Sequence, residues 1–268
     1  DHKLLDIILI ALCAIISGAE TWKDMALFGN ERLAWLRQFM ALENGIPSDD
    51  TFGRVFARLE PSLFQACFTS WVRAVFTVTK GQVIAVDGKS ARHSYDSGQG
   101  KEAVHLVSAW ATANHLVLGQ VKVDDKSNEI KAVPELLRAL DISGCIVTTD
   151  AMGCQKEIAT LVVEGKGDYV LALKDNHPLL SEDVQLLFDD LEDSRFRAYD
   201  YDTEQTVDKD HGRLETRWCW TISDPAVLRG LRGSQEWDNL GCVAKVRARR
   251  TVDDKVTVED RYFLSSLD

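Results

Sequence analysis

Between residues 82 and 174 short runs of apolar and β-branched residues alternate with amphipathic stretches, which restricts this part of the chain to an α/β fold. Val83-Ile84-Ala85-Val86 reads as a short buried strand, and residues 104–113 and 116–123, rich in Val and Leu, read as two more. Residues 129–140 then have helical spacing, 145–149 form another buried apolar run, 155–164 a second helix, and 169–174 a fifth strand.

The resulting order, β-β-β-α-β-α-β, is that of a ribonuclease-H-like core. The flanks differ from it. Residues 1–80 carry apolar positions three and four apart at 4–19, 33–42 and 64–75, with no strand pattern between them. Ser48 or Asp49 is placed to cap a further helix through Phe52, Val55, Phe56 and Leu59. Such short helices fit either a helix-turn-helix-like module or a plain helical bundle. Beyond a helix at 177–191, strand-like runs at 195–202, 214–222, 242–250 and 256–264 are too much β structure for a loop. The expected organisation is a helical region (1–80), an α/β core (81–192) and a β-rich insertion (193–268) following the fifth strand. The chain opens on Asp1 and His2 instead of Met, so its true N-terminus is expected to be missing.

The apolar stretch 4–19 is shorter than the roughly 20 residues a spanning helix needs, and Asp6 lies inside it; no membrane association is expected. Six cysteines without a Cys-x-x-Cys pair give neither a zinc site nor a disulfide framework, which suits a reducing cytoplasm. A formal net charge of −11 argues against a generic nucleic-acid binder. The acid is concentrated, however: residues 181–210 hold eleven acidic side chains against three basic ones, and the remainder is close to neutral.

Two aspartates carry the chemical argument. Asp87 follows Val83–Val86 directly and Asp150 follows the run ending at Thr149, so each stands at the end of an expected buried strand, where α/β sheets bind ligands. Taken singly, each also fits a turn, Asp87 before Gly88 and Asp150 before Ala-Met-Gly. If the first and fourth strands are neighbours, the two carboxylates come within reach of one hard cation, as Mg²⁺ is usually held. His93, His105, His115, His177 and His211 have no ligand spacing.

Six strings, Ile46-Pro47-Ser48-Asp49-Asp50-Thr51-Phe52, Val86-Asp87-Gly88-Lys89, Lys126-Ser127-Asn128-Glu129-Ile130, Thr149-Asp150-Ala151-Met152, residues 169–176 (YVLALKDN) and residues 211–217 (HGRLETR), closely resemble the H-repeat-associated transposases of bacterial insertion sequences. The resemblance implies a ribonuclease-H-like domain of the DDE type, named for two aspartates and a glutamate, that cuts and joins double-stranded DNA at element ends with Mg²⁺, for which Mn²⁺ can substitute. It also implies a homodimer when active. Asp87 would be the first acid and Asp150 the second. The glutamate is expected on a helix beyond the inserted sheet, after a basic residue or His and a Trp, and no such string occurs up to Asp268. Glu215 is the one alternative in a family-like string, although its place on an expected strand suits a structural or DNA-contacting role as well.

Lys89, Lys174, Asn176, Arg213 and Arg217 lie beside or within these strings and are candidates for phosphate contact. In residues 245–250 (KVRARR) alternation puts Lys245, Arg247 and Arg249 on one strand face, which is either a basic ribbon for DNA or a charged edge that resists aggregation. Trp218 and Trp220 fit core packing or stacking on a flipped base. Two rival functions accompany the main one: a transposase-derived protein that binds DNA without cutting it, and a different ribonuclease-H-like nuclease.

Overall fold

The computed structural model describes residues 1–75, 81–90, 105–113, 116–123, 129–210, 213–252 and 255–268. The chain divides into two compact units, Asp1–Phe68 and Thr69–Asp268.

The first unit is helical: α1 (Leu4–Ile16), α2 (Trp22–Glu31), α3 (Leu33–Leu36), α4 (Asp49–Phe56) and the start of α5 (Pro61–Val75), which continues into the second. Ile7, Ile10, Ala11 and Ala14 of α1 meet Met25, Leu36, Met40, Leu42 and Phe52 in one core. Ser48 caps α4 by accepting from the Thr51 amide. Thr21 and Asp24 form a reciprocal capping box on α2, a helix that periodicity alone did not reveal. The helix expected over 33–42 stops at Leu36; Leu42 takes a positive φ of 43°, yet still buries its side chain. Among the described residues no helix is long and apolar enough to cross a membrane.

The second unit is built on one nine-stranded sheet in the order β3-β2-β1-β4-β5-β9-β8-β7-β6. Its first part, β1 (Val83–Ser90), β2 (His105–Ala111), β3 (Leu116–Val123), α6 (Glu129–Ala139), β4 (Ile146–Thr149), α7 (Lys156–Glu164) and β5 (Asp168–Leu173), follows the element order read from the sequence. β1 pairs antiparallel with β2 and parallel with β4, and β4 pairs parallel with β5. Alternate residues of β4 and β5 are buried, among them Val147, Tyr169 and Leu171. Helices α6 and α7 pack on the strands and on each other, and Leu136, Leu137, Ile158 and Val162 are buried.

The β-rich end departs from expectation in two respects. After α8 (Pro178–Asp193), β6 (Asp202–Asp210), β7 (Arg213–Ile222), α9 (Pro225–Gly230), β8 (Cys242–Val252) and β9 (Lys255–Ser265) form no second sheet: β9 adds to the free edge of β5, so the core sheet continues through the insertion. Of the strand expected over residues 195–202 only Asp202 is in one, because Arg195 and Phe196 take left-handed backbone angles that end α8. The strand follows them as the polar edge strand β6, exposed through residue 209, and charge at an edge discourages pairing with another chain.

A buried ion network joins α8 to this sheet. Lys245, 1% exposed, donates to Glu192 and lies 3.3 Å from Asp260, with its ammonium 5.8 Å from the centre of the Tyr262 ring. Arg247 grips Asp260 in a bidentate pair at 2.6 and 2.7 Å and reaches Glu192. Burial alone would lower the Lys245 ammonium pKa, but the Glu192 hydrogen bond, Tyr262 and the carboxylates raise it above the ordinary value. The Arg247 hydrogen bonds, aided by Lys245, hold Asp260 below the usual carboxylate range against the opposing effect of burial. A depressed carboxylate contributes stability above its unfolded pKa and loses it as pH falls through the folded one. Asp260→Asn is therefore expected to destabilise the protein at pH 7, with the difference from wild type narrowing below about pH 4. Thermal melts of both proteins at descending pH check this.

Candidate active site

The parallel register of β1 and β4 ends on the pair Val86 and Thr149. One residue further along each strand stand Asp87 and Asp150, on neighbouring strands whose backbones are about 4.8 Å apart. Both aspartates are exposed, and together they line a shallow depression with Val86, Gly88, Thr149, Met152 and Gly153. β1 runs on to Ser90, so Asp87 lies within the strand and not at its end.

The local sequence fixes Asp150. Its Oδ1 accepts from the amides of Met152 at 3.0 Å and Gly153 at 3.2 Å, closing an Asx turn. Its Oδ2 has no hydrogen-bond partner among the described residues. The turn reading and the ligand reading of Asp150 are thus compatible, since Oδ1 alone serves the turn and the residue also lines the depression. Gly153 is required here. A Cβ at that position would lie 2.5 Å from Cβ and 2.7 Å from Oγ1 of Thr149, so Gly153→Ala must displace either the turn or the last residue of β4. Overpacking of this kind costs about 1–3 kcal/mol, and a lowered thermal midpoint is expected; calorimetry of the variant measures it.

Asp87 has Lys89 beside it, with Nζ 3.5 Å from Oδ2, both side chains well exposed. Lys174 is exposed just past the end of β5. Asn176 does not point outward as a free phosphate contact: its Nδ2 donates to the carbonyls of Ala151 at 2.9 Å and Cys154 at 3.0 Å. That role was signalled only by the turn-like string Lys-Asp-Asn-His-Pro after the fifth strand. Burial pushes the Cys154 thiol up to about 12, which keeps it protonated and unreactive. All six cysteines are free.

Glu215 is not brought to the aspartates. β7 lies four strands from β4, roughly 20 Å across the sheet at the usual spacing. Register places Ile222, through Val243, Leu264 and Leu171, level with Thr149, and Glu215 is seven residues past that level. Its carboxylate is 3% exposed and enclosed by Arg217 at 2.7 Å, Arg250 at 3.4 Å and Arg213 at 3.5 Å. Burial would raise its pKa, but these guanidiniums, Arg250 first, hold it below the usual range. Glu215 thereby organises arginines instead of completing a cation site. Among the described residues no group of three or more His, Cys, Asp or Glu is arranged to hold a metal.

The basic ribbon at 245–249 is also corrected. Lys245 is buried and Arg247 is held by Asp260 and Glu192, so neither charge is free for a phosphate; Arg249 alone of the three is exposed. Arg213, Arg217, Arg250 and Arg261 instead share the opposite face of β7, β8 and β9. Because β8 runs parallel to β4 and continues nine residues beyond the level of Thr149, this face stands past the sheet edge that carries Asp150. Trp220 lies under Arg247 and against Phe196, a packed position. Lys126, Ser127, Asn128, His211 and Gly212 of the family-like strings, and His93 and His115, are outside the described residues.

Residues 78–258 match the family model described as Transposase DDE domain, and residues 1–72 the model described as DDE_Tnp_1-associated. The chain belongs to the DDE transposase family, with the H-repeat-associated transposases among its relatives. It is 42% identical over 274 residues to the Escherichia coli (strain K12) "H repeat-associated putative transposase YhhI", covering 100% of this chain and 71% of that one. It is 41% identical over 268 residues to the "Uncharacterized protein in dhlA 3'region" of Xanthobacter autotrophicus, covering 99% and 88%. Among solved structures, a piggyBac transposase synaptic complex with hairpin DNA aligns at 14% identity and a TM-score of 0.40, over 98% of this chain and 51% of that one.

Proposed function

We propose that this chain cuts and joins double-stranded DNA at the ends of an insertion sequence by metal-dependent phosphoryl transfer, with Asp87 and Asp150 as ligands of the catalytic divalent cation. The observation that carries the reading is their adjacency, one step beyond the last paired residues of two parallel strands. The donor set fits: two carboxylates, one with an oxygen that takes no part in its own turn, suit a hard cation such as Mg²⁺, or Mn²⁺ in its place. Divalent cations bound there would polarise the scissile phosphate, activate water or a 3′-hydroxyl and stabilise the leaving oxygen.

The remaining assignments follow from this one. The core of β1 to β5 is read as ribonuclease-H-like, preceded by the helical region 1–80 and followed by the insertion 193–268. Lys89, exposed two residues beyond Asp87 in β1, and Lys174, exposed just past β5, would meet the phosphates that flank the scissile bond, and Arg213 and Arg217 those of a duplex lying along the overhanging sheet. Such contacts position the duplex without reading its sequence. A homodimer acting in the cytoplasm would hold two element ends together.

A plasmid carrying the element ends, incubated with the protein and Mg²⁺, tests the reading. Nicking at the ends that is lost on chelation supports it, and preferential cleavage of an RNA–DNA hybrid or branched DNA would favour a different ribonuclease-H-like nuclease. A second reading is a protein that binds element ends without cutting, favoured by the gathering of two carboxylates, not three, among the described residues. Retention of end DNA in a mobility shift with no nicking at any Mg²⁺ or Mn²⁺ concentration would select it.

A further inference from the structure

We infer that Asn176 is a positioning residue for Asp150. The inference rests on the two-aspartate reading above for its consequence, but on separate geometry for its substance. Asn176 sits between the end of β5 at Leu173 and the start of α8 at Pro178. From there it spans to the loop after β4 and donates to two of its carbonyls, Ala151 at 2.9 Å and Cys154 at 3.0 Å. Carbonyls only accept, so the amide nitrogen must face them. His177 adds a third contact, Nε2 to the Cys154 carbonyl at 2.8 Å, which requires the tautomer with hydrogen on Nε2. The Cys154 oxygen thus has both lone pairs engaged. The clamp is anchored behind, because His177 packs edge-on against Trp237, itself 4% exposed, at 5.1 Å between ring centres.

The two clamped carbonyls bracket Met152 and Gly153, whose amides hold Asp150 Oδ1. Asn176 therefore acts on the carboxylate through the backbone it binds and makes no contact with the carboxylate itself. Its own side chain is exposed, so it adds little to the core, and its three-residue neighbourhood does its work through hydrogen bonds.

Asn176→Ala removes both donors, and Asn176→Asp keeps the shape while turning an acceptor toward two acceptors. In both variants, with thermal midpoint and circular dichroism close to wild type, amide exchange at Met152 and Gly153 is expected to accelerate by about tenfold or more, more in the aspartate variant. The Mn²⁺ dissociation constant is expected to rise by roughly ten- to a hundredfold, the range typical of partners that orient a ligand. Unchanged exchange at both amides in both variants overturns the inference, as does faster exchange with unaltered Mn²⁺ affinity when Asp150→Ala abolishes binding. If Asp87→Ala and Asp150→Ala both leave Mn²⁺ binding intact, the two-aspartate reading fails instead, and exchange alone then decides the clamp.

Discussion

Alanine at Asp87 or at Asp150 is expected to lower metal-dependent strand cleavage by on the order of 10³-fold, with little loss of stability. The separation of the two effects follows from exposure. Asp87 is an exposed side chain whose one ionic neighbour among the described residues, Lys89, is more exposed still, and removing such a pair costs well under 1 kcal/mol. Asp150 caps its own turn, so its loss costs about 1 kcal/mol, equivalent to a thermal midpoint shift of roughly 2–4 °C in a chain of this size. Neither change unfolds the protein at assay temperature. The double variant is expected to be no worse than either single one, because each change removes the same site. Single-turnover nicking of an element-end plasmid beside a thermal melt measures both quantities. A tenfold loss or less in both variants would mean that the acids shape the sheet edge and do not hold the ion.

The largest expected effect on stability lies elsewhere, at Lys245. Lys245→Met keeps the volume and removes the charge, leaving Glu192 and Asp260 to share Arg247 alone. Breaking a buried pair from one side costs about 3–5 kcal/mol, whereas replacing the whole group by well-packed neutral residues is often neutral. The prediction for Lys245→Met is a loss of about 3 kcal/mol, because the two carboxylates are about a quarter exposed and water relieves part of the imbalance. Adding Glu192→Gln to Lys245→Met should recover part of that loss, and a double-mutant cycle in urea measures the coupling. A loss under about 1 kcal/mol would show that solvent screens the network as it does a surface pair.

The core strands were legible because they are short runs of apolar and β-branched residues, as in Val83–Val86 and Ile146–Thr149, whose alternate members are buried. Both aspartates were legible for the same reason, since an acid that interrupts such a run is conspicuous. β6 was not, because an edge strand of Asp, Glu, Lys and Thr has neither the composition nor the alternation of a buried one. Its expected place fell instead on residues 195–202, where Phe196 and Tyr199 imitate a strand while the backbone turns. Lys245 misled for a related reason. Alternation assigned it correctly to one face with Arg247 and Arg249, but sequence spacing carries no information about Glu192, 53 residues away, which covers that face. Asn176 likewise depends on contacts with Ala151 and Cys154, separated by 25 and 22 residues, and these exist only once β4 and β5 lie side by side.

The central claim is that Asp87 and Asp150 together hold a divalent cation, and titration calorimetry of Mn²⁺ into the wild-type chain, Asp87→Ala and Asp150→Ala tests it most directly. Binding by the wild type that is lost in both variants, each still folded by circular dichroism, is the result expected. Equal binding by all three proteins would contradict it and return both aspartates to the role of turn and edge residues on a transposase fold whose ion is held elsewhere.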